Sequence, residues 1–195
     1  MKLLALLITL SICFAVSAEN YKDLSIEKLT DAALADDEIA MGFLAEKYEK
    51  GINVDKDLTE AFEWYKKAAE LNYAPAQYNL AVMLYNGEAV KEDLPQAFFW
   101  AEKSAEQNYA SAQFLLGSFY DQGKGTFKNK TKAQEWYKRA ADQNNSMAQF
   151  NLALLLLKGD GVDLDVENGL EYLKKAADQH HAQAQSVLDL INNQK

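Results

Sequence analysis

Cysteine is almost missing from this chain of 195 residues; the single one, Cys13, lies within the first 18. Stability in an oxidising compartment must therefore come from packing and not from disulfides. Proline is confined to Pro75 and Pro95, and glycine to nine positions, so no flexible linker or disordered tail is indicated. Positive charge is in deficit: 20 Lys and Arg face 29 Asp and Glu, for a formal net charge of -9. Such a chain repels phosphates, which argues against nucleic acid and anionic membrane as partners.

Chemistry-bearing motifs are equally scarce. His180 and His181 are the only histidines, and as sequence neighbours they point in different directions, which makes a poor metal site. No Gly-x-Ser-x-Gly and no phosphate-binding glycine loop occurs. The stretch "GDGVDLDVENG", residues 159–169, carries Asp160, Asp163, Asp165 and Glu167 but lacks the glycine and closing glutamate of a calcium loop. No catalytic residue, cofactor or metal is expected.

Only one long apolar run exists, "LLALLITLSICFAV", 14 residues directly after Lys2. It is short of the roughly 20 residues a membrane span needs, and Val16-Ser17-Ala18 follows as a cleavage site. Residues 1–18 are thus expected to be a signal peptide, cut between Ala18 and Glu19. The product would be periplasmic or secreted, without stable membrane insertion. Loss of Lys2, the only charge in that segment, takes the net charge from -9 to -10.

What the chain does contain is repetition. "WYKKAAELNYAPAQYNLA" at 64–81 returns as "WAEKSAEQNYASAQFLLG" at 100–117, "WYKRAADQNNSMAQFNLA" at 136–153 and "YLKKAADQHHAQAQSVLD" at 172–189, always 36 residues on. Ala40, Met41, Leu44 and Tyr48 form one helical apolar stripe, ended by Gly51. Asp57, with Glu60 three residues on, starts a second helix whose stripe is Ala61, Trp64, Tyr65, Ala68 and Ala69. The grammar recurs. Gly51, Gly87, Gly123 and Gly159 end the first helices; Asp57, Asp93, Asn129 and Asp165 cap the second; Asn72, Asn108, Asn144 and His180 close them. Trp64, Trp100, Trp136 and Tyr172 hold one aromatic position, expected to be core, beside a small-residue pair in each unit. One helix pair cannot bury enough surface alone, so the units must stack. Residues 19–36 are expected to form a degenerate leading capping helix, and residues 184–195 a C-terminal one, around units spanning 37–183.

The set Ala-Gln-x-x-Leu-Gly/Ala, then Gly-x-x-Val, then Ala-x-x-Trp-x-x-Lys-Ala-Ala resembles the Sel-one-like repeat (SLR) family, relatives of tetratricopeptide repeats. The resemblance departs at Thr126, in the valine position of the third loop, and at Gly169, in an alanine position. It implies an all-α fold: a right-handed α-solenoid of antiparallel helix pairs with a 36-residue period, four full repeats and degenerate terminal caps. It also implies an adaptor for protein assembly, with the first helices lining a concave face.

With Leu44 pointing to the core, Gly42, Glu46 and Glu49 point the opposite way. Their equivalents are Tyr78, Val82 and Tyr85; Phe114, Ser118 and Asp121; and Phe150, Leu154 and Leu157. Seven of these last nine are apolar or aromatic, where an ordinary amphipathic helix would be polar. The expectation is a concave groove with an aromatic floor and acid at its first end. Its partner-binding residues would be Tyr78, Val82, Tyr85, Phe114, Phe150, Leu154, Leu157, Glu46, Glu49 and Asp121. Packing between units is the competing explanation for Tyr78, Phe114 and Phe150. An exported, monomeric scaffold for a protein or peptide partner fits best. The alternatives are an inhibitor or immunity-type protein for one secreted enzyme, and a β-lactamase-like hydrolase, whose cysteine-rich relatives this chain does not match in cysteine.

Overall fold

The computed structural model describes residues 18–193, and the described residues contain eleven α-helices and no strand. Apart from Ala18, the expected signal peptide lies outside them. After α1 (Ala18–Lys22) and α2 (Ile26–Leu34) come four pairs: α3 (Glu38–Lys50) with α4 (Leu58–Glu70), α5 (Ala74–Asn86) with α6 (Leu94–Glu106), α7 (Ala110–Gln122) with α8 (Lys130–Asp142), and α9 (Ser146–Lys158) with α10 (Val166–Asp178). A last helix, α11 (Ala182–Asn192), closes the array. From α2 to α11 each helix packs on the next, which makes the molecule an α-solenoid.

Local chemistry sets the helix ends. The Asp57 carboxylate accepts from the backbone N–H groups of Thr59 and Glu60 at 2.9 and 3.1 Å, and Asp93, Asn129 and Asp165 cap their helices in the same way. Gly51, Gly87, Gly123 and Gly159 stop the first helices in the left-handed conformation, and Asn72, Asn108, Asn144 and His180 take it one residue past the C-caps of the second.

Between the helices, the core is built of small residues. Ala68, Ala69, Ser104, Ala105, Ala140, Ala141, Ala176 and Ala177 are all buried. A polar thread runs through it. The buried Gln113 amide donates to the Ala105 carbonyl at 3.3 Å and to Asn108 at 3.0 Å, and its oxygen accepts from Gln143 of the same pair's second helix at 2.8 Å. Gln77 and Gln149 repeat the arrangement, accepting from Gln107 and Gln179 at 2.7 Å. Each glutamine thus ties the end of the preceding second helix to the end of the following one.

The tryptophan position differs from expectation. Trp64 is buried, but Trp100, Trp136 and Tyr172 are only half-buried, while Tyr65, Ala101, Tyr137 and Leu173, one residue later, are fully enclosed. At about 100° per residue, the aromatic position sits on the edge of the stripe and leaves one ring face open. Cations one turn on cover it: Lys67 lies 4.0 Å from the Trp64 ring, Arg139 4.5 Å from Trp136 and Lys175 5.1 Å from Tyr172.

The leading cap is two helices, α1 and α2, where one was expected. Tyr21 stacks on Phe43 and donates to the Asp37 carboxylate at 2.6 Å; the other oxygen of that carboxylate caps α3. The buried Lys47 ammonium donates to the carbonyl of Lys22 at the C-terminus of α1, the end a cation favours.

Candidate partner-binding face

The first helices α3, α5, α7 and α9 carry the expected face as three rows, and each row has its own surroundings. One row is Gly42, Tyr78, Phe114 and Phe150. Its rings are half-buried and lean on neighbours: Tyr78 meets Tyr109 edge-on at 5.5 Å, Phe114 meets Tyr137 at 5.8 Å, and Phe150 stacks on His181 at 4.7 Å. Gly42 carries no ring, and Tyr73 occupies the space above it. This row leans on the second helix of its pair or on the residue before the next first helix, while leaving ring surface open.

The row of Glu49, Tyr85, Asp121 and Leu157, also half-buried, is tied down by contacts within the fold. Glu49 accepts from the Tyr65 hydroxyl at 2.7 Å. Tyr85 packs on Phe119 at 5.6 Å and is covered by Lys124, whose ammonium also reaches the Tyr85 hydroxyl. Leu157 fills the space that a Cβ on Gly169 would take, which is why α10 has glycine there. Asp121 differs most from the expectation of a free acid. Its shielded Oδ1 is ion-paired with Lys130, which also pairs with Asp160 at 2.8 Å, so it is already engaged within the fold.

The row of Glu46, Val82, Ser118 and Leu154 stays half-exposed on the face. Glu46 pairs with Lys50, and Ser118 accepts from Gln122 at 2.7 Å, both within their own helices. Two of four units place a polar residue here, so the packing does not demand an apolar one.

Depressions mark the face. One, of ≈ 340 Å³, spans α3 and the starts of α5 and α7, with Glu46, Glu49, Tyr65, Tyr73, Asn79 and Tyr109 among its walls. Another, of ≈ 310 Å³, lies on the other side of Glu46, among Lys22, Phe43, Lys47 and Ile52. A smaller one of ≈ 120 Å³ lies beside Leu154, Asn151 and the Lys130 ion pairs. Burial, and after it the Glu49 carboxylate, holds the Tyr65 hydroxyl above its ordinary range. Tyr73 and Tyr109 were not anticipated. Their signal is legible in retrospect: both occupy N-cap positions without donating or accepting a cap, where Asn145 and His181 in the later units do cap. Tyrosine is a poor N-cap, so a ring repeated there serves something else. No cluster of metal-ligating side chains occurs among the described residues.

The Sel1 repeat model matches residues 39–73, 74–109, 110–145 and 146–181. The chain belongs to the Sel1 repeat family. This Sel1 repeat protein resembles a protective antigen of uropathogenic Escherichia coli with an SLR fold (33% identity, TM-score 0.80), over 83% of this chain and 35% of that one. It resembles a Sel1 repeat protein of Oxalobacter formigenes at 32% identity and TM-score 0.75, over 82% of this chain and 66% of that one. Cysteine-rich protein B of Helicobacter pylori aligns at 26% identity and TM-score 0.54, over 70% of this chain and 98% of that one. The chain therefore spans about a third of the first relative's length and just under two thirds of the second's. A comparison with curated proteins found no match. Sel1 repeats are in general non-catalytic modules of protein–protein interaction. No helix among the described residues is long and apolar enough to cross a membrane.

Proposed function

We infer that this Sel1 repeat protein is an exported scaffold that binds a protein or peptide partner along its first-helix face. The observation that carries the reading is the row of Glu46, Val82, Ser118 and Leu154. Because glutamate and serine occupy that position in two units, Val82 and Leu154 owe their apolarity to something other than the fold. The open surfaces of Tyr78, Phe114 and Phe150 extend the same strip, and Glu46 and Glu49 give it an acidic first end. Tyr85 and Leu157 support this surface from within, and Asp121 is left out of it. Export rests on the apolar run 3–16 and the small residues after it.

The test is cross-linking pull-down from the native envelope and medium with the wild type and with Val82→Glu/Leu154→Glu. Both substitutions copy a residue the first unit already carries, so the circular dichroism spectrum and melting temperature should hold. Recovery of one partner by the wild type, lost in the variant, supports the reading. Equal recovery by both contradicts it.

A further inference from the structure

The depression beside Glu46 and Glu49 is more specific than a general strip. It joins the carboxylates of Glu46 and Glu49 to the rings of Tyr73 and Tyr109 and the amide of Asn79. Its volume of ≈ 340 Å³ suits one long side chain, not a domain. Against two carboxylates it holds a single cation, Lys50, already paired with Glu46. Two units on, Asp121 and Asp160 share Lys130 and have Lys158 beside them in the smaller depression, so the two acids there face two cations where Glu46 and Glu49 face one.

The tyrosines point the same way. Tyr73 and Tyr109 take N-cap positions, give up the cap hydrogen bond and set their rings in the wall. Pro75, in the first turn of α5, removes one backbone donor from that helix end, which lowers its value to an anion. Burial, and after it Tyr109 and the carboxylates of Glu38, Glu46 and Asp37, hold the Tyr73 hydroxyl above its ordinary range. Aromatic faces next to carboxylates are a complement for a planar cation, since the rings stack on it while the oxygens accept its hydrogens.

We propose that this depression is a subsite for an arginine side chain of the partner, its guanidinium received by Glu46 and Glu49 between the Tyr73 and Tyr109 rings. The proposal rests on the partner-binding reading of the first-helix face, and it names the chemistry that face selects. Lys50 is the competing internal cation, and it moves aside from Glu46 when the site fills.

The test needs no partner. The purified protein, with its tyrosine rings labelled for NMR, is titrated with N-acetyl-arginine amide and with the neutral isostere N-acetyl-citrulline amide. A lone side chain is expected to bind with a dissociation constant on the order of 1 mM. Arginine should give saturable shifts at Tyr73 and Tyr109, with Tyr65, whose hydroxyl bonds Glu49, the one other tyrosine to respond. Citrulline should give at least about tenfold weaker ones, as expected where a charged hydrogen-bond partner is lost. Glu46→Gln and Glu49→Gln should each cut the arginine response; Gln can still accept from Tyr65, and Glu46→Gln leaves that bond untouched. Equal response to the two compounds, no response at the two rings, or an unchanged response in both variants overturns the proposal. Because the titration involves no partner, its failure leaves the pull-down result standing, and a failed pull-down leaves the titration standing.

Discussion

Ala89 holds φ at 63°, in the left-handed region where its counterparts are Asn53, Gly125 and Gly161. A Cβ in that conformation costs roughly 1–2 kcal/mol, and glycine's greater freedom in the unfolded chain offsets part of the relief. Ala89→Gly is expected to stabilise the protein by about 0.5 kcal/mol, read as a higher urea midpoint at unchanged slope. The aromatic residues separate by burial. Tyr137 is 1% exposed, so Tyr137→Ala should cost about 3–5 kcal/mol through the cavity it leaves. Half-buried Trp100 can collapse onto less lost contact, and Trp100→Ala is expected to cost about half as much. Parallel urea unfolding of the two variants ranks them, and a larger loss at Trp100 would contradict the assignment of the core. The Lys130 ion pairs add a pH dependence. The hydrogen bond and charge of Lys130 hold the Asp160 carboxyl below its ordinary range. A lowered folded-state value means that the pair stabilises above the ordinary carboxylate range, about pH 4, and that this is lost as pH falls through the lowered value. The melting temperatures of the wild type and Lys130→Met should therefore differ at pH 7 and converge in strong acid.

Between elements, the glutamine thread is the distinctive link. Gln113 reaches the end of α6 and receives Gln143 from the end of α8, so one side chain couples three helices. Gln113→Leu keeps the volume near and leaves the Ala105 carbonyl and the Gln143 amide without that partner, at a cost of about 1–3 kcal/mol. Since stability in an array passes between nearest neighbours, the loss should also broaden the transition, with the halves on either side of α7 beginning to melt apart. Calorimetry reads this directly, and a sharp single transition at the wild-type temperature would show that the thread carries no coupling. The helix ends were legible in the sequence because caps and left-handed terminators are short-range chemistry, as Asp57, Gly51 and Asn72 show. Which side of a helix edge a ring falls on was not. Trp64 and Tyr65 are adjacent and equally aromatic, and only the approach of the next helix decides which is enclosed.

At the scale of the molecule, repeat number, period and order were open to sequence reading because one packing rule is written four times. The face was legible only in part. Helical periodicity placed three rows on one side, but it could not tell that Leu157 turns over Gly169 or that Asp121 meets Lys130, since both contacts join residues far apart along the chain. Tyr73 and Tyr109 escaped because they precede their helices, outside any periodic stripe. What remains half-exposed, apolar and unneeded by packing on this face is Val82 and Leu154, and the account stands on them. The most direct test places a photo-cross-linking amino acid at position 82 or 154 of the full chain in its native cells. Positions 99 and 135, exposed on the second helices, serve as the comparison. The account predicts one shared partner adduct from 82 and 154 and none from 99 and 135. An adduct from the second helices alone would contradict it.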